Sequence, residues 1–174
     1  MSHPIPILTT ERLTLRRPTQ ADFDAFADWV ASPRSARFGG PGPRHEAREG
    51  FDAMLDHWAQ KGFGYFHVAL AASGAAVGRI GISHPDHRPE PEVAYALYED
   101  RFEGQGYATE AARAARDWAF DSLGLPTLVS YIDPDNAASI RLATRLGARP
   151  DGTTTGRDGT VQLVYRHVRP EAHA

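Results

Sequence analysis

A strand-like run, Glu92-Val-Ala-Tyr-Ala-Leu97, leads into Arg101-Phe-Glu-Gly104-Gln-Gly106-Tyr-Ala-Thr-Glu-Ala111, and a helical run follows from about Gly106 to Ser122. This junction limits the folds open to the chain more than any other stretch. Two glycines one residue apart let the backbone turn tightly and approach a ligand closely. A helix that starts there adds unpaired N–H groups and a partial positive charge. Strand, glycine turn and helix in that order describe a cradle for an anion, set on an α/β frame.

The remaining pattern fits around that junction. Arg12-Leu-Thr-Leu-Arg16 alternates as a first strand, punctuated by Pro18. Thr19 or Asp22 caps a helix to about Ser32, with Phe23, Phe26, Trp29 and Val30 on one face. After the Gly39 to Pro43 loop, a second amphipathic helix over about Glu46 to Lys61 buries Phe51, Met54, Leu55 and Trp58. Tyr65 to Ala71 and Ala76 to Ser83 read as strands joined by a hairpin turn at Ser73-Gly74. A proline-broken loop from His84 to Pro91 precedes the strand at Glu92. Thr127 to Ile132 is a strongly apolar, central strand. Asp133-Pro-Asp135 caps a helix from Asn136 to Leu146 that stops at Gly147. Arg149 to Thr154 and Val161 to Val168 are the last strands, flanking the Gly156-Arg-Asp-Gly159 turn. Hairpins therefore come first and a βαβ unit follows, which predicts a mixed sheet within one domain spanning 1–174.

Bulk properties narrow the function classes. With 41% hydrophobic and 24% charged residues, 174 residues bury a core without staples. A net charge of −3 with no Lys/Arg stripe argues against nucleic acid as a partner. The chain has no cysteine, which excludes disulfides, thiolate catalysis and cysteine-ligated zinc. No apolar run approaches the length of a membrane span, and the start does not resemble a signal sequence, so a soluble cytoplasmic protein is expected.

Taken alone, Gly-x-Gly before a helix fits an empty strand-to-helix turn as well as a ligand site. A dinucleotide fingerprint needs a third glycine at position 109, where this chain has Thr109, and stands near the start of a βαβ series. Here hairpins precede it. No Gly-Lys-Ser/Thr follows, so the Walker pattern is absent. The neighbours of the turn are more specific. Arg101 gives Arg-x-x-Gly-x-Gly, Thr-Glu-Ala follows directly, and one strand later come Asn136-Ala-Ala-Ser139-Ile-Arg141 and Leu146-Gly147-Ala148. Over about Glu92 to Gly147 the chain resembles the GNAT superfamily of acyl-CoA-dependent N-acetyltransferases. Within it, the Gly-Tyr-Ala-Thr-Glu-Ala run and the Asn-x-x-Ser helix start are similar to the branch that acetylates ribosomal-protein N-termini. Thr10-Glu-Arg-Leu-Thr-Leu-Arg16 matches that branch more loosely.

The resemblance implies a mixed, mostly antiparallel seven-stranded sheet flanked by four helices, with a splayed central parallel pair. It implies acetyl-CoA as cosubstrate, its pantetheine arm lying in the wedge and pairing with the backbone of Ala96, Leu97 and Tyr98 as an added strand. An N–H near Ala96 would face the thioester oxygen. The backbone amides of Gly104, Gln105, Gly106, Tyr107 and Ala108 would hold the pyrophosphate, with Arg101 at the entrance of the turn, and Asn136 would bond the pantetheine amides. Glu92 stands as candidate base and Ser139 as candidate proton donor to the thiolate. Each also has a plain structural reading, Glu92 as a strand-edge carboxylate and Ser139 as a first-turn helix serine. The implied acceptor is a primary amine, on a peptide N-terminus or a small molecule, and the implied assembly is a monomer or homodimer.

Two positions depart from the family pattern. Ala143 stands where many members carry a tyrosine acid, and Glu103 stands beside the pyrophosphate, where its side chain is expected to face away. His84-x-x-His87 with Asp86 has a loosely ligand-like spacing but reads as polar loop, so no metal is expected. A non-catalytic acyl-CoA-binding module and a dinucleotide-dependent oxidoreductase are the rival readings.

Overall fold

In the computed structural model, which describes residues 5–171, the sheet has one strand more than the sequence pattern predicts. The strands are β1 (Leu8–Thr9), β2 (Leu13–Arg16), β3 (Tyr65–Leu70), β4 (Ala76–Ser83), β5 (Glu92–Leu97), β6 (Leu128–Ile132), β7 (Arg149–Thr155) and β8 (Val161–His167). The helices are α1 (Phe23–Ala31), α2 (Arg44–Lys61), α3 (Tyr107–Asp121) and α4 (Ala137–Arg145). The unexpected strand is β1. Two residues carry no readable alternation, and β1 exists because Leu8 and Thr9 pair with Leu15 and Thr14. The expected domain of 1–174 extends past the described residues at both ends.

The strand order is β1-β2-β3-β4-β5-β6-β8-β7. Every neighbouring pair is antiparallel except β5 and β6, which are parallel and meet only at Glu92 and Val129. The sheet therefore splits along its middle, as the family resemblance implies. β7 lies at an edge, which tolerates Pro150 and Gly152.

The two layers of helix follow from spacing. Ala47, Phe51, Met54 and Trp58 recur every three or four residues on α2 and are buried. Phe26 and Trp29 of α1 join Ala47, Phe51 and Met54 under Ala96 and Tyr98, Trp58 packs instead in the core with Phe66, and Phe23, Val30 and Leu55 are only half-buried. α3 packs on β2, β4 and β5 through Ala111, Ala112, Ala115 and Ala119, small residues that let the helix lie close to the sheet. Both expected cap residues stand at the start of the first helix, Thr19 before a 3₁₀ turn and Asp22 before α1. Gln20–Asp22 forms a 3₁₀ turn, and the Asp22 carboxylate accepts the Thr19 N–H at 2.8 Å and a bidentate pair from Arg16 at 2.7 and 2.8 Å. α4 is capped by Asn136, whose Oδ1 accepts the Ser139 N–H at 3.2 Å, and not by Asp133 to Asp135.

A short 3₁₀ strap, Pro33–Phe38, was not visible in the sequence pattern. It crosses the open end of the split sheet. Arg34 ties it to Leu97, Asp100 and Glu103 on one side, and Arg37 ties it to Asp133 and Asp135 on the other.

Candidate active site

The split is held open by specific bonds. Val129 N–H donates to Pro91 O at 3.1 Å, and beyond that point β6 turns away. The Val93 carbonyl, which a continuing parallel ladder would pair with β6 backbone, instead accepts the Ser130 hydroxyl at 2.7 Å. Buried His167 completes the group, its Nε2 2.9 Å from Ser130 Oγ. Because the hydroxyl proton is spent on Val93, the imidazole carries its proton on Nε2. Its Nδ1 is left without a partner.

Which β5 groups face the gap follows from register. Tyr98 N–H donates to Val77 O at 2.9 Å, and Ala96 pairs with Arg79 two residues on. Antiparallel bonding alternates, so the amides of Ala96 and Tyr98 point to β4. Those of Tyr95 and Leu97 point into the gap. This corrects the backbone pairing expected of Ala96 and of Tyr98, whose side chain is also buried against Trp29 at 5.6 Å, and leaves the amides of Tyr95 and Leu97 as the gap-facing ones near Ala96. Leu97 faces the gap, and its carbonyl accepts Arg34 Nε–H at 3.2 Å.

At the far end of the gap lies the glycine turn, whose geometry could hold an anion. Gly104 and Gly106 lie at φ of 70° and 81°, where side chains are strained, and a Cβ on Gly104 would meet no atom within 4 Å. Glu110 is the first residue of α3 whose N–H finds a backbone acceptor, Gly106 O at 3.0 Å. The amides from Gly104 to Thr109 have none and remain free for an anion. Glu110 anchors this helix start, accepting Thr10 Oγ1 at 2.6 Å, Arg12 N at 2.9 Å and Arg12 Nε at 2.7 Å. The loosely matching Thr10-Glu-Arg12 segment is thus the brace of the Thr-Glu-Ala run. Gln105 contributes backbone alone, since its side chain folds onto Arg101 O. Arg101 does not reach the cleft. Its guanidinium is exposed, paired with Glu99 at 2.9 Å and laid on the Phe102 ring.

Two cavities meet across the gap. One, of about 540 Å³, runs from Leu97 past Gly104, Gly106, Tyr107 and Ala108 to α4. The other, of about 170 Å³, lies over Glu92 among Tyr65, Arg88 and Tyr131. Arg37, Phe38, Tyr95, Asn136 and Ser139 line both, so Ser139 and Tyr95 stand at the junction. Burial pushes the half-buried Glu92 carboxyl up, against the opposing pull of Arg88, the Tyr131 backbone amide and Arg79. Burial likewise pushes Tyr95 up to about 12, and its hydroxyl donates to Ser139 O at 3.0 Å. Asn136 has given its Oδ1 to the helix cap, which leaves its Nδ2 donors for a ligand carbonyl.

Sequence reasoning missed several of these groups. Tyr95 was readable only as a strand residue, and Arg34, Arg37 and Arg88 reach the site from distant segments. Glu103 lines the cleft instead of facing away, and is neutralised there by Arg34 at 2.8 Å. Ala143 is wholly buried among Ile132, Ala148 and Tyr165. His84 is spent on its own loop, its Nε2 3.2 Å from Arg88 O and its N–H on His57 Nε2 at 3.0 Å. Among the described residues, no group of three or more His, Asp or Glu side chains is arranged to hold a metal, and no helix is long and apolar enough to cross a membrane.

Comparison with known proteins agrees with this geometry. A model of the acetyltransferase (GNAT) domain matches residues 12–149. The solved structure of an acetyltransferase from Agrobacterium tumefaciens strain C58 shares 44% identity and superposes with a TM-score of 0.86, covering 97% of this chain and 98% of that one. The uncharacterized N-acetyltransferase p20 of Bacillus licheniformis is 26% identical over 83% of each chain. The microcin C7 self-immunity acetyltransferase MccE, solved with acetyl-CoA and AMP, shares the fold at a TM-score of 0.75 and 16% identity, over 96% of this chain and 98% of that one. A split sheet with a free-amide cradle at one end, and a family model that covers most of the chain, make this protein a member of the GNAT acetyltransferase family, enzymes that use acetyl-CoA as acetyl donor.

Proposed function

We propose that the chain, as a single catalytic unit, transfers the acetyl group of acetyl-CoA to a primary amine by direct attack within a ternary complex. The observation that carries this reading is the meeting of two cavities at Tyr95 and Ser139, one ending in the glycine cradle and the other over Glu92. The gap-facing backbone groups of Tyr95 and Leu97 suit a pantetheine arm as an added strand. The free amides from Gly104 to Ala108 suit the pyrophosphate. Arg141 and Arg145 line the same cleft and have no carboxylate partner among the described residues, which adds positive charge there.

Acetyl-CoA supplies a thioester carbon open to attack. A neutral amine nitrogen bonds to that carbon as the carbon–sulfur bond breaks. Glu92 takes the proton the amine gives up, and its raised pKa matches that task better than an ordinary carboxylate would. Ser139, with Tyr95 beside it, returns a proton to the departing sulfur. An α-amine with a pKa near ~8 needs less help than a lysine amine near ~10.4. The reading assigns the enzyme to the cytoplasm, as a monomer or homodimer.

Acetyl-CoA turnover across a panel of primary amines tests the reading. Release of free thiol with at least one amine is the expected result. Tight acetyl-CoA binding with no turnover on any amine would favour a non-catalytic acyl-CoA module. Protection against thermal unfolding by NAD(P) in preference to CoA would favour the oxidoreductase.

A further inference from the structure

The smaller cavity has a distribution of charge that speaks to the acceptor. Across its mouth runs a rail of polar side chains. Arg88 donates to Gln162 Oε1 at 2.7 Å, Gln162 Nε2 donates to Asp133 Oδ1 at 3.3 Å, and Arg37 bridges Asp133 and Asp135 at 3.4 and 3.0 Å. Arg37 therefore offsets one of the two aspartates, and Asp135, which does not line this cavity, is exposed. Arg88 does not share in this. It is half-buried, its guanidinium carbon lies 4.2 Å from the Tyr131 ring centroid, and no carboxylate among the described residues forms a salt bridge with it. A guanidinium has five donors, and Gln162 occupies one.

A second cation reinforces the first. Arg79 lies beneath the cavity, 4.3 Å from the centroid of the Tyr65 ring that lines it, and it too has no carboxylate partner among the described residues. Its Nε is buried without a hydrogen-bond acceptor. Against these two guanidiniums, Glu92 is the one carboxylate lining the cavity that is not already tied to an arginine. A polycation entering here would meet two guanidiniums that stand in no salt bridge, with Glu92 the one lining acid not already paired to an arginine. A molecule with one amine and one anionic group meets a partner for each.

We propose that the acceptor is a small primary amine carrying an anionic group, with the anion on the Arg88 guanidinium and the amine facing Glu92. This rests on acetyl transfer at the same site. Arg88 is then a specificity-determining residue, pre-oriented by Gln162 and Tyr131 so that its planar fork meets a carboxylate or phosphate with little loss of freedom. A volume of about 170 Å³ admits the amine end of a small molecule.

The experiment compares amines that differ only in the anionic group, using the full chain and acetyl-CoA. α-Amino acids are set against their carboxamides, phosphoethanolamine against ethanolamine, and spermidine is the polycation. The anionic member of at least one pair should have kcat/KM about tenfold or more above its neutral partner. The two pairs separate carboxylate from phosphate. Arg88→Gln should erase that preference by raising KM for the anionic amine, with kcat, acetyl-CoA KM and thermal midpoint little changed. Arg88→Lys should restore part of it. A faster reaction with spermidine or the neutral partners, or a preference untouched in Arg88→Gln, overturns the proposal while leaving acetyl transfer intact. If no amine is acetylated, calorimetry on the acetyl-CoA-loaded protein decides. Arg88-dependent binding of an anionic amine upholds the site, and its absence sinks it.

Discussion

The Nε–H of Arg34 donates to the Leu97 carbonyl at 3.2 Å, across the mouth of the gap between β5 and β6. That carbonyl faces the space an added strand would occupy, so the 3₁₀ strap holds a position the donor's arm would use. The same guanidinium pairs with Glu103 at 2.8 Å, the one acid on the phosphate side of the cleft. Removing Arg34 therefore frees Leu97 but leaves Glu103 facing the phosphates. We expect Arg34→Ala to weaken acetyl-CoA binding about fivefold, roughly 1 kcal/mol, most strongly at low salt. Arg34→Ala combined with Glu103→Ala should return it to the original affinity or better. Two losses that simply add, measured by calorimetry, would separate the residues.

Gly106 starts α3 from a left-handed backbone, and a Cβ there would lie 3.4 Å from Arg12 Nη2 with the cleft otherwise open. Gly106→Trp should fill the cradle and abolish acetyl-CoA binding. The backbone strain alone costs ~1–2 kcal/mol. Gly62→Ala, at φ 77° on the end of α2, carries that strain without the obstruction. It should lower the thermal midpoint and leave binding alone. Unchanged acetyl-CoA affinity in Gly106→Trp would remove the cradle assignment.

Burial holds the Glu92 carboxyl above its ordinary range, and this gives two linked expectations. With Glu92 as the proposed base, active only when ionised, the rate should fall on acidification through a pKa above that of an exposed glutamate, and Glu92→Gln should lack this limb with kcat reduced. In stability the sign is opposite to that of a salt-bridged acid. A raised folded pKa means that stability is lost as pH rises from the unfolded value through the folded one. Glu92→Gln should therefore be the more stable protein at neutral pH, and the difference should vanish near pH 4. Coincident pH–rate profiles for the two proteins would take Glu92 out of the reaction.

His167 carries the reverse sign. Burial first, and then Arg116, depress its pKa to about 4. The folded chain keeps the ring neutral while the unfolded chain protonates it below about pH 6.5. Stability is thus complete above that value and falls between about pH 6.5 and 4, by on the order of 2–3 kcal/mol. Chemical denaturation across this range should show the loss, and His167→Gln should flatten it. A wild-type stability that is level over the window would contradict the buried neutral ring.

The motifs made the donor side legible because its determinants are local. Gly104, Gly106 and the start of α3 are consecutive, so chain order alone implies free amides. Asn136 and Ser139 are likewise one helical turn apart. The strands were readable from the sequence where they run four residues or more, and the reading failed at Leu8 and Thr9, whose strand exists only by pairing. The direction of the Ala96 amide was misread because it depends on register with Arg79, a property of two strands together. The acceptor side was illegible for a related reason. Arg37, Arg88 and Gln162 come from three separate segments, and nothing in the order of residues says that they share a cavity.

The Ser130 hydroxyl on the Val93 carbonyl leaves the sheet one strand short by design of its own sequence, and a sheet in that condition is finished from outside. A ligand that completes it binds the folded chain and not the unfolded one, so each molecule of donor bound also holds the protein together. At a hundredfold excess over its dissociation constant that linkage is worth about 2.7 kcal/mol, comparable to a large core truncation. The persistence of this enzyme against unfolding and proteolysis is then tied to acetyl-CoA supply, and starvation for the donor removes catalyst as well as substrate.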